Sequence, residues 1–228
     1  MSEPGYVVVI PTVGRASLGV LLDSLAEAVR RHGYPPDEVI VADDRRDTPD
    51  PLPVTIPAPL AGRTAVVTLE GRGPAAARNA GWRAAAATEW VVFLDDDVRV
   101  SGDWTRDLAA DLARAGPDTG GVQGALVVPW PPGRRPADSQ RATLGLADAP
   151  WITADMAYRH AALAEAGGFD ERFPRAYRED TDLALRVTGL GWTLRRGGRR
   201  AIHPVPPPRL WASVAAQAGN ADDAGMRL

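Results

Sequence analysis

Three stretches of the chain place polar or acidic side chains where apolar runs stop. Residues 91–100, VVFLDDDVRV, run four apolar residues into three consecutive aspartates. In an extended chain Asp95 and Asp97 share one face and Asp96 turns to the other. Two carboxylates on one face repel each other when alone, but together they can chelate a divalent cation, which removes the repulsion. The plainer reading is a solvated acidic turn, since Asp is a common turn residue. The same event recurs where VVVIPT closes on Pro11 and Thr12 and where VIVADD closes on Asp43 and Asp44. In open α/β sheets ligands bind outside the carboxyl ends of the strands, so three such ends with matching chemistry favour a site over three unrelated turns.

Further groups fit around a cation at the triplet. Residues 71–81, GRGPAAARNAG, form a glycine turn opening a helix whose first amides, with Arg78, could hold an anion. A diphosphate bridging a cation on Asp97 and the Arg78 guanidinium makes the pieces coherent, with Asp43 or Asp44 accepting hydrogen bonds from a base or ribose. In the second half YREDTDLALRV sets Glu179 and Asp180 at the start of a helix. They are either ordinary N-terminal helix charges or a general base for a hydroxyl nucleophile. His203 could complete a carboxylate-bound Mn²⁺ as a borderline ligand.

The elements that must position these groups alternate between strand and helix, which implies an α/β fold with a largely parallel sheet. Apolar runs predict strands over 7–10, 39–42, 65–69, 90–94 and 121–128. Leu18, Leu21, Leu22, Leu25 and Val29 recur at helical spacing, and helices are also expected over 75–87 and 104–115. The proline-rich stretches 48–59 and 129–136 read as irregular connections, the second as a mobile loop. Beyond them, helices are expected over 158–166 and 180–187, short strands over 192–194 and 200–202, and a short helix in the tail over 210–228.

Composition bounds the rest. The 228 residues are 45% hydrophobic and 24% charged with a formal net charge of −3, so no nucleic-acid surface is expected. There is no cysteine, which removes disulfides, thiolate metal sites and cysteine nucleophiles. No apolar run approaches the ~20 residues of a spanning helix, and no signal peptide is evident, so a soluble cytoplasmic protein is expected, with peripheral membrane association open. All 26 basic residues are arginine. A single arginine is therefore weak evidence of a site, and any mechanism that needs lysine is disfavoured.

Taken together, VVVIPT, VIVADD, GPAAARNAG, VVFLDDDV and above all TADMAYRHAALAEAGGFDERFPRAYREDTDLALRV (153–187) make the chain resemble family 2 glycosyltransferases of GT-A fold over residues 7–203. The resemblance implies a single GT-A domain over 1–208, with a Rossmann-like, mostly parallel central sheet flanked by helices. Residues 1–128 would bind nucleotide-sugar and metal, 129–208 would carry acceptor and base, and 209–228 would be a tail. It implies inverting transfer of a sugar from a nucleotide diphosphate donor, UDP favoured, to an acceptor hydroxyl of unassigned class, with Mn²⁺ or Mg²⁺ at a DXD-like element. Asp97 is then the principal metal ligand, with Asp95 and His203 as further ligands and Asp95 and Asp96 near the ribose. Pro11, Thr12, Arg15 and Asp44 line the nucleoside pocket, Arg78 serves the diphosphate, Asp155 faces donor sugar and acceptor, and Asp180 is the base beside Glu179. One departure is visible: Val13-Gly14-Arg15 stand where the family has an aromatic residue and Asn, which leaves base identity open. The alternatives are a nucleotidyltransferase acting on a sugar phosphate, or a non-catalytic nucleotide-sugar-binding module. A haloacid-dehalogenase-type phosphohydrolase would need a downstream lysine, and the chain has none.

Overall fold

The computed structural model describes residues 3–207 except 87, 174, 176 and 177. The tail over 209–228, with its expected helix, lies outside them. In chain order the strands are β1 (Tyr6–Thr12), β2 (Glu38–Asp43), β3 (Thr64–Thr68), β4 (Trp90–Leu94), β5 (Arg99–Val100), β6 (Thr119–Val127), β7 (Asp155–Arg159) and β8 (Thr193–Ile202). The helices are α1 (Ser17–His32), α2 (Ala58–Ala61), α3 (Pro74–Ala84), α4 (Trp104–Ala113), α5 (Asp138–Gly145), α6 (His160–Glu165) and α7 (Glu179–Gly189).

One sheet takes all eight strands in the order β3-β2-β1-β4-β7-β6-β8-β5. The side from β3 to β4 is parallel throughout, with the apolar runs of β1, β2 and β4 buried on both faces and β3 a largely exposed edge. Beyond β4 the sheet is mixed: β7 runs antiparallel to both β4 and β6, β6 and β8 are parallel, and β5 is antiparallel to β8. Side-chain alternation divides the core. Val8 and Ile10 pack in the cluster holding Leu21, Leu25, Trp104 and Leu108 from α1 and α4, whereas Val7 and Val9 pack in the cluster holding Ala75, Leu163, Leu183 and Val187 from α3, α6 and α7.

Several expectations are corrected here. Residues 155–159 form β7 and only 160–165 are helical, where a helix was expected over 158–166. Inserted between β4 and β6, DMAYR sends Met156 and Tyr158 to one core and Ala157 to the other, so long-range pairing outweighs local propensity. The two short strands expected over 192–194 and 200–202 are one strand, with a register irregularity opposite Gln123 and Ala125. The stretches α2, α5 and β5 carried no periodic signal and were not anticipated.

A buried ionic network ties the mixed half together. Arg199, fully buried on β8, donates from Nε to Asp155 Oδ1 at 2.7 Å and from Nη1 to Asp111 Oδ2 at 3.2 Å, and from Nη2 to the Val122 carbonyl at 2.7 Å. Trp104 Nε1–H donates to Asp155 Oδ2 at 2.8 Å, and the amides of Gly198 and Arg199 donate to Asp111. Glycine makes the room: a Cβ at Gly124 would collide with the Asp155 carboxylate, and one at Gly197 with that of Asp111.

Two stability measurements test this packing. Arg199 keeps Asp111, but an Asn at 155 would set its NH2 against a donor, Arg199 Nε–H or Trp104 Nε1–H, and leave that donor unpaired. Asp155→Asn is therefore expected to lower unfolding free energy by about 1–3 kcal/mol in urea titration, with the slope m unchanged. Gly81 in α3 lies against Val9 of β1, where a Cβ would overlap Cγ1 of that stiff, fully buried side chain. Ala in place of a mid-helix Gly gains up to about 1 kcal/mol, but overpacking costs about 1–3 kcal/mol. Gly81→Ala is thus expected to be net destabilising, and a raised urea midpoint would contradict the packing.

Candidate active site

The carboxyl ends of β2, β1 and β4, in that order across the sheet, open into a cavity of about 1280 Å³. Pro11, Thr12, Arg15, Asp44, Arg78, Asp95, Asp96, Asp97, Glu179, Asp180 and His203 all line it. The structure therefore brings together all but one of the site residues expected from sequence. Asp155 is the exception and is a correction: it lies outside the cavity lining, 1% exposed, with its carboxylate taken by Arg199 and Trp104. Its neighbours Thr153 and Ala154 line the cavity in its place.

The aspartate triplet follows β4 as a turn, not as continued strand, with Val98 N–H bonded to the Asp95 carbonyl at 3.3 Å. Each carboxylate has its own partner. Asp95 Oδ1 accepts from Arg78 Nη2 at 2.8 Å. Asp96, 3% exposed, accepts from Thr12 Oγ1–H at 2.6 Å and from Arg15 Nη1 at 2.8 Å. Thr12 is oriented in turn by the Gly14 amide at 3.0 Å, where Gly14 takes φ 78° and packs under the Arg45 side chain. Asp97 meets Arg15 Nη1 at 3.4 Å and His203 Nε2 at 3.5 Å. Burial, then the charge of Asp95, push the Asp97 carboxyl above its ordinary range, while His203 and Arg15 pull it back.

His203 is set up for ligation. Its ring Nδ1 lies 2.9 Å from the Pro204 carbonyl, which can only accept, so the neutral ring carries its proton there. The Nε2 lone pair then faces Asp97 Oδ1, and two acceptors so placed call for a shared cation or proton between them. Among the described residues no three His, Cys, Asp or Glu side chains converge closely enough to hold a metal by themselves. A cation here would use Asp97 and Asp95, with His203 as a borderline nitrogen ligand suited to Mn²⁺, together with oxygens from a bound ligand.

Arg78 departs from its expected role. It is 3% exposed and already bridges Asp95 and Glu179, donating from Nη1 to Glu179 Oε1 at 2.8 Å. It holds the triplet to the start of α7 and is not an open diphosphate ligand. The glycine turn is similarly committed: the Arg72 and Gly73 amides donate to the two oxygens of Asp44 at 2.7 and 2.8 Å. Asp43 is clamped by Arg45 at 2.7–3.0 Å, and these hydrogen bonds hold its carboxyl below the ordinary range. The cationic side chains left toward the cavity on this side include Arg15, Arg46 and Arg72. The adjacent RR of VADDRRD was a signal for Arg45 and Arg46 that coding bias toward arginine obscured.

Glu179 and Asp180 begin α7 just after Arg178, whose φ of 72° lies in the left-handed region that favours glycine. Strain of this kind clusters at functional sites. Burial pushes both carboxyls above the ordinary range, while Arg78 draws both back. Among the described residues buried Glu179 Oε2 has no hydrogen-bond partner, and Asp180 Oδ1 accepts the Thr181 amide at 2.7 Å. On the β7 side the cavity has an apolar wall of Leu146, Ala149, Pro150 and Ile152. The Gln123 side chain braces it, donating to the Ala149 carbonyl at 3.1 Å and accepting the Trp151 amide at 2.5 Å, with Trp151 at φ 62°. Nothing in the sequence around Gln123 signals this contact across 26–28 residues.

The glycosyl transferase family 2 model matches residues 7–145, more than half of the chain. The Pre-mycofactocin glycosyltransferase of Mycobacterium tuberculosis is 33% identical over 138 residues, covering 54% of this chain and 28% of that protein, so the chain spans less than a third of this curated relative. Among solved structures, the mannosyltransferase PcManGT from Pyrobaculum calidifontis in complex with GDP-Man and Mn²⁺ is 20% identical, with a TM-score of 0.64 over 100% of this chain and 66% of that one. S. aureus TarS 1-349 in complex with UDP-GlcNAc is 18% identical, with a TM-score of 0.60 over 92% of this chain and 61% of that one. At these identities the structural likeness shows the fold, GT-A. The family match sets the class: this chain belongs to glycosyl transferase family 2.

Proposed function

We propose that the chain transfers a sugar from a nucleoside diphosphate-sugar to an acceptor hydroxyl with inversion, using Asp180 as general base. The observation that carries this reading is a single cavity holding the Asp97–His203 pair and the half-buried Asp180, with Arg78 bridging Asp95 of one group and Glu179 of the other. The neighbours' complexes with GDP-Man and UDP-GlcNAc support a donor of this class. The nucleoside lies toward the ends of β1 and β2, against Pro11, Thr12 and Asp44, and the diphosphate lies near Arg15.

Asp97, His203 and Asp95 would hold Mn²⁺ or Mg²⁺ only together with the donor's own oxygens, and the cation would supply Lewis-acid stabilisation of the leaving diphosphate. Asp180 takes the proton of the attacking hydroxyl, because a neutral alcohol is a poor nucleophile. Burial makes this carboxylate a stronger base than a solvated one. Its Oδ1 is oriented by the Thr181 amide, and Glu179 stays fixed on Arg78. The acceptor approaches over the wall of Leu146, Ala149, Pro150 and Ile152, residues from the 129–208 half to which we assign acceptor and base. No described helix is long and apolar enough to cross a membrane.

The donor site is tested by melting temperature against UDP, GDP, ADP and CDP with and without Mn²⁺. A ligand at 100 times its Kd stabilises by about 2.7 kcal/mol, so a metal-dependent shift with one diphosphate, lost in Asp97→Ala, is expected. No shift with any of the four would count against the reading. The base is tested by stability as well as turnover. Asp180's folded-state pKa lies above its unfolded value, so its contribution to stability is present in acid and lost as pH rises through the folded pKa. At neutral pH the buried charge is a net cost. Asp180→Asn is expected to abolish transfer while raising the melting temperature at pH 7, with the gain fading as pH falls toward 4.

A further inference from the structure

The charges on the triplet are balanced by two arginines of different mobility. Arg78 is buried and held by carboxylates at both ends, so it stays. Arg15 is 56% exposed at its side chain, and its guanidinium reaches Asp96 Oδ1 at 2.8 Å and Asp97 Oδ2 at 3.4 Å through the same Nη1. Its backbone is fixed, because its carbonyl accepts the Leu18 amide at 3.1 Å where α1 begins. The side chain can therefore swing while its anchor does not. A single Nη1 straddling Asp96 and Asp97 partly neutralises the carboxylate a divalent cation would share, and its longer, exposed contact to Asp97 is weak enough to be displaced.

We infer that Arg15 is the resident counter-ion of the aspartate triplet: it neutralises Asp97 from the Oδ2 side, opposite the Oδ1 that faces His203, and on loading it moves to the donor's diphosphate. This rests on the donor and cation reading above. The consequence is coupled loading. A cation alone must displace Arg15 and leave its charge unpaired beside the incoming metal. A cation arriving with a diphosphate gives Arg15 a new anionic partner. Arg15 thus opposes the metal by itself and favours the metal–diphosphate pair.

The test uses the intact chain and two ligands. Mn²⁺ affinity without nucleotide is measured by electron paramagnetic resonance for wild type, Arg15→Gln and Arg15→Lys. The affinity of the diphosphate identified by melting is then measured calorimetrically in saturating Mn²⁺. Arg15→Gln is expected to bind Mn²⁺ alone roughly three- to tenfold more tightly and the diphosphate roughly tenfold more weakly. Opposite signs for the two ligands are the signature. Arg15→Lys keeps the charge without the planar fork. It should also bind Mn²⁺ alone more tightly than wild type, which a simple field effect would not produce. Unchanged or weaker Mn²⁺ binding in Arg15→Gln overturns the inference, as does an Arg15→Lys affinity equal to that of wild type. If wild type and Arg15→Gln alike bind neither Mn²⁺ nor any diphosphate, the donor reading itself fails.

Discussion

The buried guanidinium of Arg78 is the constraint on which the site's geometry depends. It lies between Asp95 at the end of β4 and Glu179 at the start of α7, 2.8 Å from each, and its charge is what allows two carboxylates to approach in a nearly dry environment. Its sequence position on α3 is set by the glycine turn that Asp44 nails to β2 through two amides. Asp44 thus places Arg78 indirectly, through the helix it anchors. One chain of contacts runs from β2 through α3 to both the triplet and the Glu-Asp pair. An isolated surface ion pair would hold such distances poorly. Here burial makes the pairing compulsory, because Arg78 and Glu179 are both buried and either without the other would be an uncompensated buried charge.

The cavity gathers most of its negative charge at one end. Five carboxylates line it near the triplet and α7, and three of them, Asp97, Glu179 and Asp180, are held above their ordinary titration range by burial. Such crowding weakens the empty fold and suits a site meant to receive cationic and proton-donating partners. The left-handed Arg178 and Trp151 on two sides of the cavity fit the same pattern, with local strain held by the packed sheet beneath. By contrast, the Arg199–Asp155–Asp111 network is saturated with hydrogen bonds and lies away from the cavity lining. Its function is to fasten β8, β7 and α4, and the glycines at 124 and 197 exist to admit its carboxylates.

The two halves of the sheet differ in how their geometry was readable. On the parallel side β1, β2 and β4 are continuous apolar runs, and each carries its polar terminus to the same edge, so strand identity and site location coincide. On the mixed side the strands are polar or small-residue segments, TGGVQGALV and TLRRGGRRAI, whose pairing is decided by what they pack against. The Asp155 expectation failed there for the same reason. Its sequence neighbourhood resembles a site, but strand alternation turned its side chain toward Arg199, which is 44 residues away in sequence.

What the sequence determined by itself was chemical type and local order: the apolar runs that become β1, β2 and β4, the helical spacing of α1, the acidic ends of the strands, and the ED pair opening α7. These are short-range properties, written in side-chain periodicity and in residues that terminate elements. Tertiary structure alone decided who pairs with whom. It committed Arg78 to two carboxylates and Asp155 to Arg199, set Arg15 on Asp96 and Asp97 at the mouth of the site, and made a strand of residues 155–159. The physical reason is that an ion pair or a strand pairing is a statement about distance and dielectric. Residues 17 to 101 positions apart acquire these only when the sheet brings them together.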